Sequence, residues 1–310
     1  MLSTITRILQ LVRWPNLLVV ALTQLLIFYL VLTPAYRTAD VSAVCSNWKV
    51  VELILITLSI SASGYIINDL LDAKIDAVNR PGSNQVEQLG RDFVQWLYAL
   101  CILGGFLFSL LVAFRLGELE LVWIFPLTVA LLSTYSVYLK GVPFLGNLLI
   151  ALYCAGVPGI IFLAERDSIR LLLERQPQTG IDLIRTGLLF MLFAFLATLL
   201  RELVKDVEDM KGDRLAGCQS LPIIWGLPKA KRLAYFYLVL LTLALLTPYL
   251  FNWEFFQQPV TITYVLLLLL SLGVFSYFLR AAQIQKDFHR LSQFIKLYLL
   301  LGLGLLFCFN

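Results

Sequence analysis

Asn68-Asp69-Leu70-Leu71-Asp72-Ala73-Lys74-Ile75-Asp76-Ala77-Val78-Asn79-Arg80-Pro81 is the stretch on which the reading of this chain turns. Asn68, Asp72 and Asp76 stand at i, i+4 and i+8, so on a helix they share one face. Asn68 and Asp69 directly abut the apolar run 54–67, where a carboxylate is costly unless it is paired or liganded. The stretch has a counterpart far downstream, Arg201-Glu202-Leu203-Val204-Lys205-Asp206-Val207-Glu208-Asp209-Met210-Lys211-Gly212-Asp213. There Arg201, Lys205, Asp209 and Asp213 repeat the spacing, and Asp206 falls one turn before Asp209. Two ladders of oxygen donors suit a hard divalent cation, and Mg²⁺ completes a few carboxylates with water and phosphate oxygens. Cations among the acids serve no metal on its own. They do serve a metal bound with a diphosphate, the acids holding Mg²⁺ while Lys and Arg neutralise the remaining phosphate oxygens.

Outward from the ladders, the composition sets the class. Of 310 residues, 60% are hydrophobic and 14% charged, against about 45–50% and about 25% in soluble domains. The excess lies in long Leu-rich runs without alternation, which predicts an all-α polytopic membrane protein. Nine spans are expected, near 16–33, 48–67, 92–114, 119–139, 144–164, 183–204, 232–251, 259–280 and 290–308, in a helical bundle. The whole of 1–310 reads as one integral membrane domain. Within it, 1–13 is an amphipathic lead-in helix with Ile5, Ile8, Leu9 and Val12 on one side. Residues 68–91 and 205–231 are expected as cytoplasmic active-site loops, and 165–182 is the other long connection.

Lysine and arginine orient the chain. The amino terminus and the loops after spans 2, 4, 6 and 8 hold 17 of them, and the opposite side holds 7. This predicts an integral protein of the cell (inner) membrane with its amino terminus and both ladders cytoplasmic and its carboxyl terminus outside. Both ladders follow even-numbered spans and occupy matching places in spans 1–4 and 5–8. Two four-helix pseudo-repeats plus one helix are therefore expected, with the site where the halves meet. The five cysteines are scattered with no zinc-type spacing and read as packing residues, and the lone His289 offers no partner. No nucleic-acid partner is expected.

Further candidates sit at span ends. Tyr135 and Lys140 close span 4, where a belt tyrosine and a snorkelling lysine account for them as well as a phosphate contact does. Arg13-Trp14-Pro15-Asn16 enters span 1. Arg13 is readable as a plain anchor and Asn16 as a polar contact at the span entrance.

The paired motifs, Asn-Asp-x-x-Asp-x-x-x-Asp after span 2 and Lys-x-x-x-Asp-x-x-x-Asp after span 6, resemble the two signatures of the UbiA superfamily of intramembrane prenyltransferases. The resemblance implies that the helical bundle surrounds a central cavity, and it implies Mg²⁺-dependent transfer of a prenyl group from a polyprenyl diphosphate to a lipid or aromatic acceptor. It implies that Asn68, Asp72, Asp76, Asp209 and Asp213 hold the Mg²⁺–diphosphate, supported by Asp69 and Asp206. Arg80, Lys140 and Lys205 would contact the diphosphate, with Tyr135 nearby. Arg201 departs from the family, which often has Tyr at that position; it takes over a phosphate contact or belongs to acceptor recognition. The segment 201–209 looks most like the branch of geranylgeranylglycerol-phosphate geranylgeranyltransferases, whose acceptor, geranylgeranylglyceryl phosphate, carries its own phosphate.

Three other readings compete. Prenylation of an aromatic acceptor in a quinone, chlorophyll or haem pathway would keep the mechanism and change the acceptor. A cation-coupled transporter would place acids and broken helices near the bilayer midplane, whereas these acids gather at helix ends. Gly156-Val157-Pro158-Gly159 in span 5 is the nearest thing to a break. A CDP-alcohol phosphotransferase would need a single Asp-rich motif with Gly and Arg within it, and none is present.

Overall fold

The computed structural model describes residues 2–79, 85–139, 142–215 and 217–309, apart from the side chains of 2, 3, 73–79, 120 and 309. Its helices are α1 (Leu2–Leu11), α2 (Trp14–Ile27), α3 (Thr33–Thr38), α4 (Asn47–Asn79), α5 (Gln85–Leu89), α6 (Arg91–Leu116), α7 (Ile124–Thr134), α8 (Leu145–Ala164), α9 (Arg166–Arg175), α10 (Pro177–Leu215), α11 (Leu221–Trp225), α12 (Leu227–Leu250), α13 (Pro259–Ala281) and α14 (Gln285–Gly304). π-Helical turns at Phe28–Leu32 and Tyr135–Leu139 continue α2 and α7. No strand occurs among the described residues, and nine of these helical stretches are long and apolar enough to cross a membrane. A chain this apolar must satisfy its backbone internally, and helices do so within each span.

The helices run further than expected. The segments read as loops at 68–91 and 205–231 are helical through Asn79 and Leu215, so both ladders lie on continuous extensions of their spans. The reason is local. Leu70, Leu71, Ala73, Lys74 and Ala77 are good helix formers, as are Lys205, Glu208, Met210 and Lys211. Gly212 does not release the chain; α10 passes it and ends at Leu215. Gly217, at φ +76°, then takes the left-handed turn, and the Cys218 amide donates to the Asp213 carbonyl (2.9 Å). The third connection also folds, giving α9 and the first turns of α10. Pro158 lies inside an unbroken α8.

By their contacts the residues divide into two compact units. The first comprises 1–24, 45–142 and 211–218. Here α4 packs along α6 and α7, closely enough that a Cβ on Gly105 would come within 2.4 Å of the Phe125 ring and 2.7 Å of Ser59. Gln24, fully buried, donates across to the Thr57 hydroxyl (2.9 Å). At the ladder end of α4 a cluster of Leu11, Ile66, Leu70, Val86 and Val94 gathers α1, α5 and α6 around it.

The second unit comprises 25–44, 143–210 and 219–310. Its central helix is α10, whose apolar stretch is the most buried of the nine. The Phe193 ring stacks against Tyr298 of α14 and lies where a Gly302 side chain would have to be. The helices α12, α13 and α14 pack in succession.

Candidate active site: two polar helix ends

On α4 the first ladder begins one turn after Tyr65. Asp69 accepts from the Arg13 guanidinium (2.8 Å), and that guanidinium also lies over the Tyr65 ring, 4.8 Å from its centroid. Asn16 donates to the Tyr65 hydroxyl (3.3 Å). The α1–α2 junction is thus folded onto the polar end of α4, and Arg13 reaches it from a left-handed backbone (φ 53°) between the two helices. Arg13 is more than the plain anchor that sequence allowed. Asp72, one turn beyond Asn68, is only 4% exposed, while Asn68 is half-buried. A carboxylate so enclosed needs a compensating cation or donors.

Tyr135 begins the π-helical turn that packs against α4 and is half-buried. Single π-turns within helices often mark functional positions. The Asp76 side chain, Arg80 and Lys140 lie outside the described residues.

On α10 the second ladder is enclosed in a different way. Arg201 pairs with its neighbour Glu202, which is 6% exposed. Asp206 accepts from the Asn147 amide of α8 (2.7 Å). Glu208, 5% exposed, meets Nδ1 of His289 on α14 at 2.9 Å. The lone histidine thus meets an acid of the ladder rather than a cysteine. Lys205 and Asp209 are half-buried on the face they share with Arg201, and Asp213 is half-buried in the last turns of α10.

The polar supports of this ladder, Asn147, Glu202, Glu208 and His289, were missed in the sequence. Asn147 carried a signal, an amide within the first turn of an apolar span. Glu208 and His289 carried none, because 81 residues separate them. Among the described residues no three carboxylates, histidines or cysteines close into a metal cage. The donors that are present are carboxylate and amide oxygens on helix faces with cations interleaved. Such a set can hold a hard cation that shares its remaining positions with substrate oxygens.

Comparison with known proteins gives a consistent picture. The model of the UbiA prenyltransferase family matches residues 25–300. A digeranylgeranylglyceryl phosphate synthase of Methanosphaera stadtmanae is 29% identical over 264 residues, 83% of this chain and 86% of the relative. One from Sulfurisphaera tokodaii is 32% identical over 219 residues, 68% and 72% of the two chains. Among solved structures, a digeranylgeranylglyceryl phosphate synthase superposes with a TM-score of 0.64 at 19% identity, covering 98% of this chain and 97% of that one. A UbiA homologue from Archaeoglobus fulgidus bound to DMAPP and Mg²⁺ superposes at 0.56 and 16% identity, covering 97% and 99%. At these identities the solved structures share the fold with this chain.

Proposed function

This chain belongs to the UbiA prenyltransferase family, and from that premise we propose that it transfers a geranylgeranyl group from its diphosphate to geranylgeranylglyceryl phosphate. The observation that carries the reading is the half-buried face of α10, where Arg201, Lys205 and Asp209 alternate cation, cation and acid at one-turn spacing. A prenyl diphosphate and an acceptor with its own phosphate both call for cations beside the metal-holding acids. The acceptor assignment is supported by relatives named digeranylgeranylglyceryl phosphate synthase along most of the chain.

Mg²⁺ is the expected cofactor. The donor chemistry fits it, being all oxygen, and the Archaeoglobus homologue binds it with DMAPP. Asn68, Asp72 and Asp76 of α4 and Asp209 and Asp213 of α10 would hold it, with Asp69 and Asp206 kept in place by Arg13 and Asn147. When bound, the ion neutralises charge that builds on the departing diphosphate.

The chain's own residues do the rest. Lys205, with Arg80 and Lys140, would neutralise the phosphate oxygens and so stabilise the charge that develops as the C–O bond breaks. Apolar spans keep water from the allylic carbocation. The acceptor hydroxyl adds to that carbon and passes its proton to the released pyrophosphate or to a ladder carboxylate. The face bearing both ladders is cytoplasmic in this reading, following the bias of lysine and arginine.

The test is prenyl transfer by the purified protein with geranylgeranyl diphosphate, Mg²⁺ and a panel of acceptors, with EDTA as control. Product with geranylgeranylglyceryl phosphate and with no aromatic acceptor is expected. Product with an aromatic acceptor instead would overturn the acceptor, and no Mg²⁺-dependent product with any acceptor would overturn the activity.

A further inference from the structure

A second polar feature lies far from the ladders. Between α9 and the first turns of α10 is a groove of about 350 Å³, floored by Phe162 of α8, at the lower end of the roughly 300–1,000 Å³ of ligand pockets. One wall is a stripe on α9, Arg166, Ile169, Arg170 and Leu173, at i, i+3, i+4 and i+7. The other is an apolar stripe on α10 that includes Ile184, Leu188 and Met191. Gly187 makes room for the floor: a Cβ there would come within 2.3 Å of the Phe162 ring. Leu188 and Arg170 are exposed, so the groove opens outward.

α9 is fixed by a different set of its residues. Glu165, just ahead of the helix, accepts from the Val44 amide (3.1 Å), Ser168 donates to the Ser42 carbonyl (2.8 Å), and Arg175 donates to the carbonyls of Ala39 and Asp40. None of these bonds uses Arg170, whereas Arg166 is half-buried and has an interaction of its own. Arg170 has no ion pair or hydrogen bond among the described residues, although Asp167 and Glu174 flank it on its own helix. Gly187 lies eighteen residues before Lys205 on α10, about 27 Å along a helix, close to the thickness of the hydrocarbon core. The arginine pair therefore sits near the membrane face opposite the second ladder, where head groups are.

We propose that this groove binds an anionic membrane lipid, its phosphate head on Arg166 and Arg170 and the upper part of one chain against Ile184, Leu188 and Phe162. Two guanidinium groups one helical turn apart can straddle a single phosphate, and basic pockets at the ends of membrane helices suit lipid head groups. The apolar walls select a lipid over free phosphate. The proposal does not depend on the prenyltransferase reading.

The test is native mass spectrometry of the full-length protein in detergent, titrated with dioleoyl phosphatidylglycerol, dioleoyl phosphatidylcholine or inorganic phosphate. Wild type should retain one phosphatidylglycerol at least tenfold more tightly than phosphatidylcholine. The double substitution Arg166→Gln/Arg170→Gln should weaken that binding about tenfold or more, and Leu188→Trp, which blocks the groove without touching its charge, should weaken it as well. Unfolding midpoints of the same preparations should match wild type, which reports that the variants are folded. Phosphatidylglycerol binding that survives both variants, or equals that of phosphatidylcholine, would overturn the site. Inorganic phosphate displacing the lipid at equal concentration would overturn the choice of ligand. Should the double variant not fold, Leu188→Trp decides alone.

Discussion

Asp69 and Asp72 stand three residues apart on α4 yet meet different surroundings. Asp69 is held by Arg13, whereas Asp72 is enclosed almost completely. Arg13→Ala would leave Asp69 partly buried beside Tyr65 without its cation, and a loss of about 1–3 kcal/mol is expected. Thermal unfolding in detergent measures it, and Asp69→Asn in the Arg13→Ala background should recover part of the loss. An unchanged midpoint in Arg13→Ala would show that the pair contributes nothing. At this scale the sequence was informative about acids and poor about their supports. Regular i, i+4 spacing marked Asn68, Asp72, Lys205 and Asp209. Arg13 approaches from the α1–α2 junction and Asn147 and His289 from other helices, and no local pattern encodes which acid each one meets.

Elements extend the same logic. α4 and α10 carry their polar ladders beyond the apolar spans because the residues that follow remain helix formers, so a boundary drawn where hydropathy falls comes too early. What fixes α4 laterally is close packing at Gly105. Gly105→Val forces a side chain into Phe125 and Ser59, and about 1–3 kcal/mol of destabilisation is expected. The adjacent Gly104 meets nothing within 4 Å, so Gly104→Ala should be neutral or slightly stabilising, by up to about 1 kcal/mol. Equal unfolding midpoints for the two variants would contradict the packing described here. Between α10 and α14 the Glu208–His289 contact ties the ladder to a helix far away in sequence. His289→Ala should lower the unfolding midpoint and His289→Gln, which keeps a donor, should restore most of it. Equal loss in both would mean that the hydrogen bond is not what matters.

At the largest scale, the nine apolar helices and the all-α fold of the described residues were legible because hydropathy and backbone satisfaction leave few alternatives in a bilayer. The division into units was not. Its boundaries run through α2 and α10, and contacts between helices distant in sequence leave no periodic mark. With nine spans the two termini should lie on opposite faces, the amino terminus cytoplasmic. Reporter fusions at each end measure this, and activity of both reporters on one face would contradict the topology.

The central claim is that the acids of the two ladders run Mg²⁺-dependent prenyl transfer. It is tested most directly by the transfer rate of wild type, Asp72→Asn and Asp209→Asn, compared at saturating Mg²⁺ with unfolding midpoints measured alongside. Each amide keeps the size of the side chain and removes its charge. We expect wild-type transfer to vanish with EDTA and return with Mg²⁺, and each variant to remain folded while losing on the order of 10²–10³-fold in rate. A wild-type rate in either variant would contradict the account.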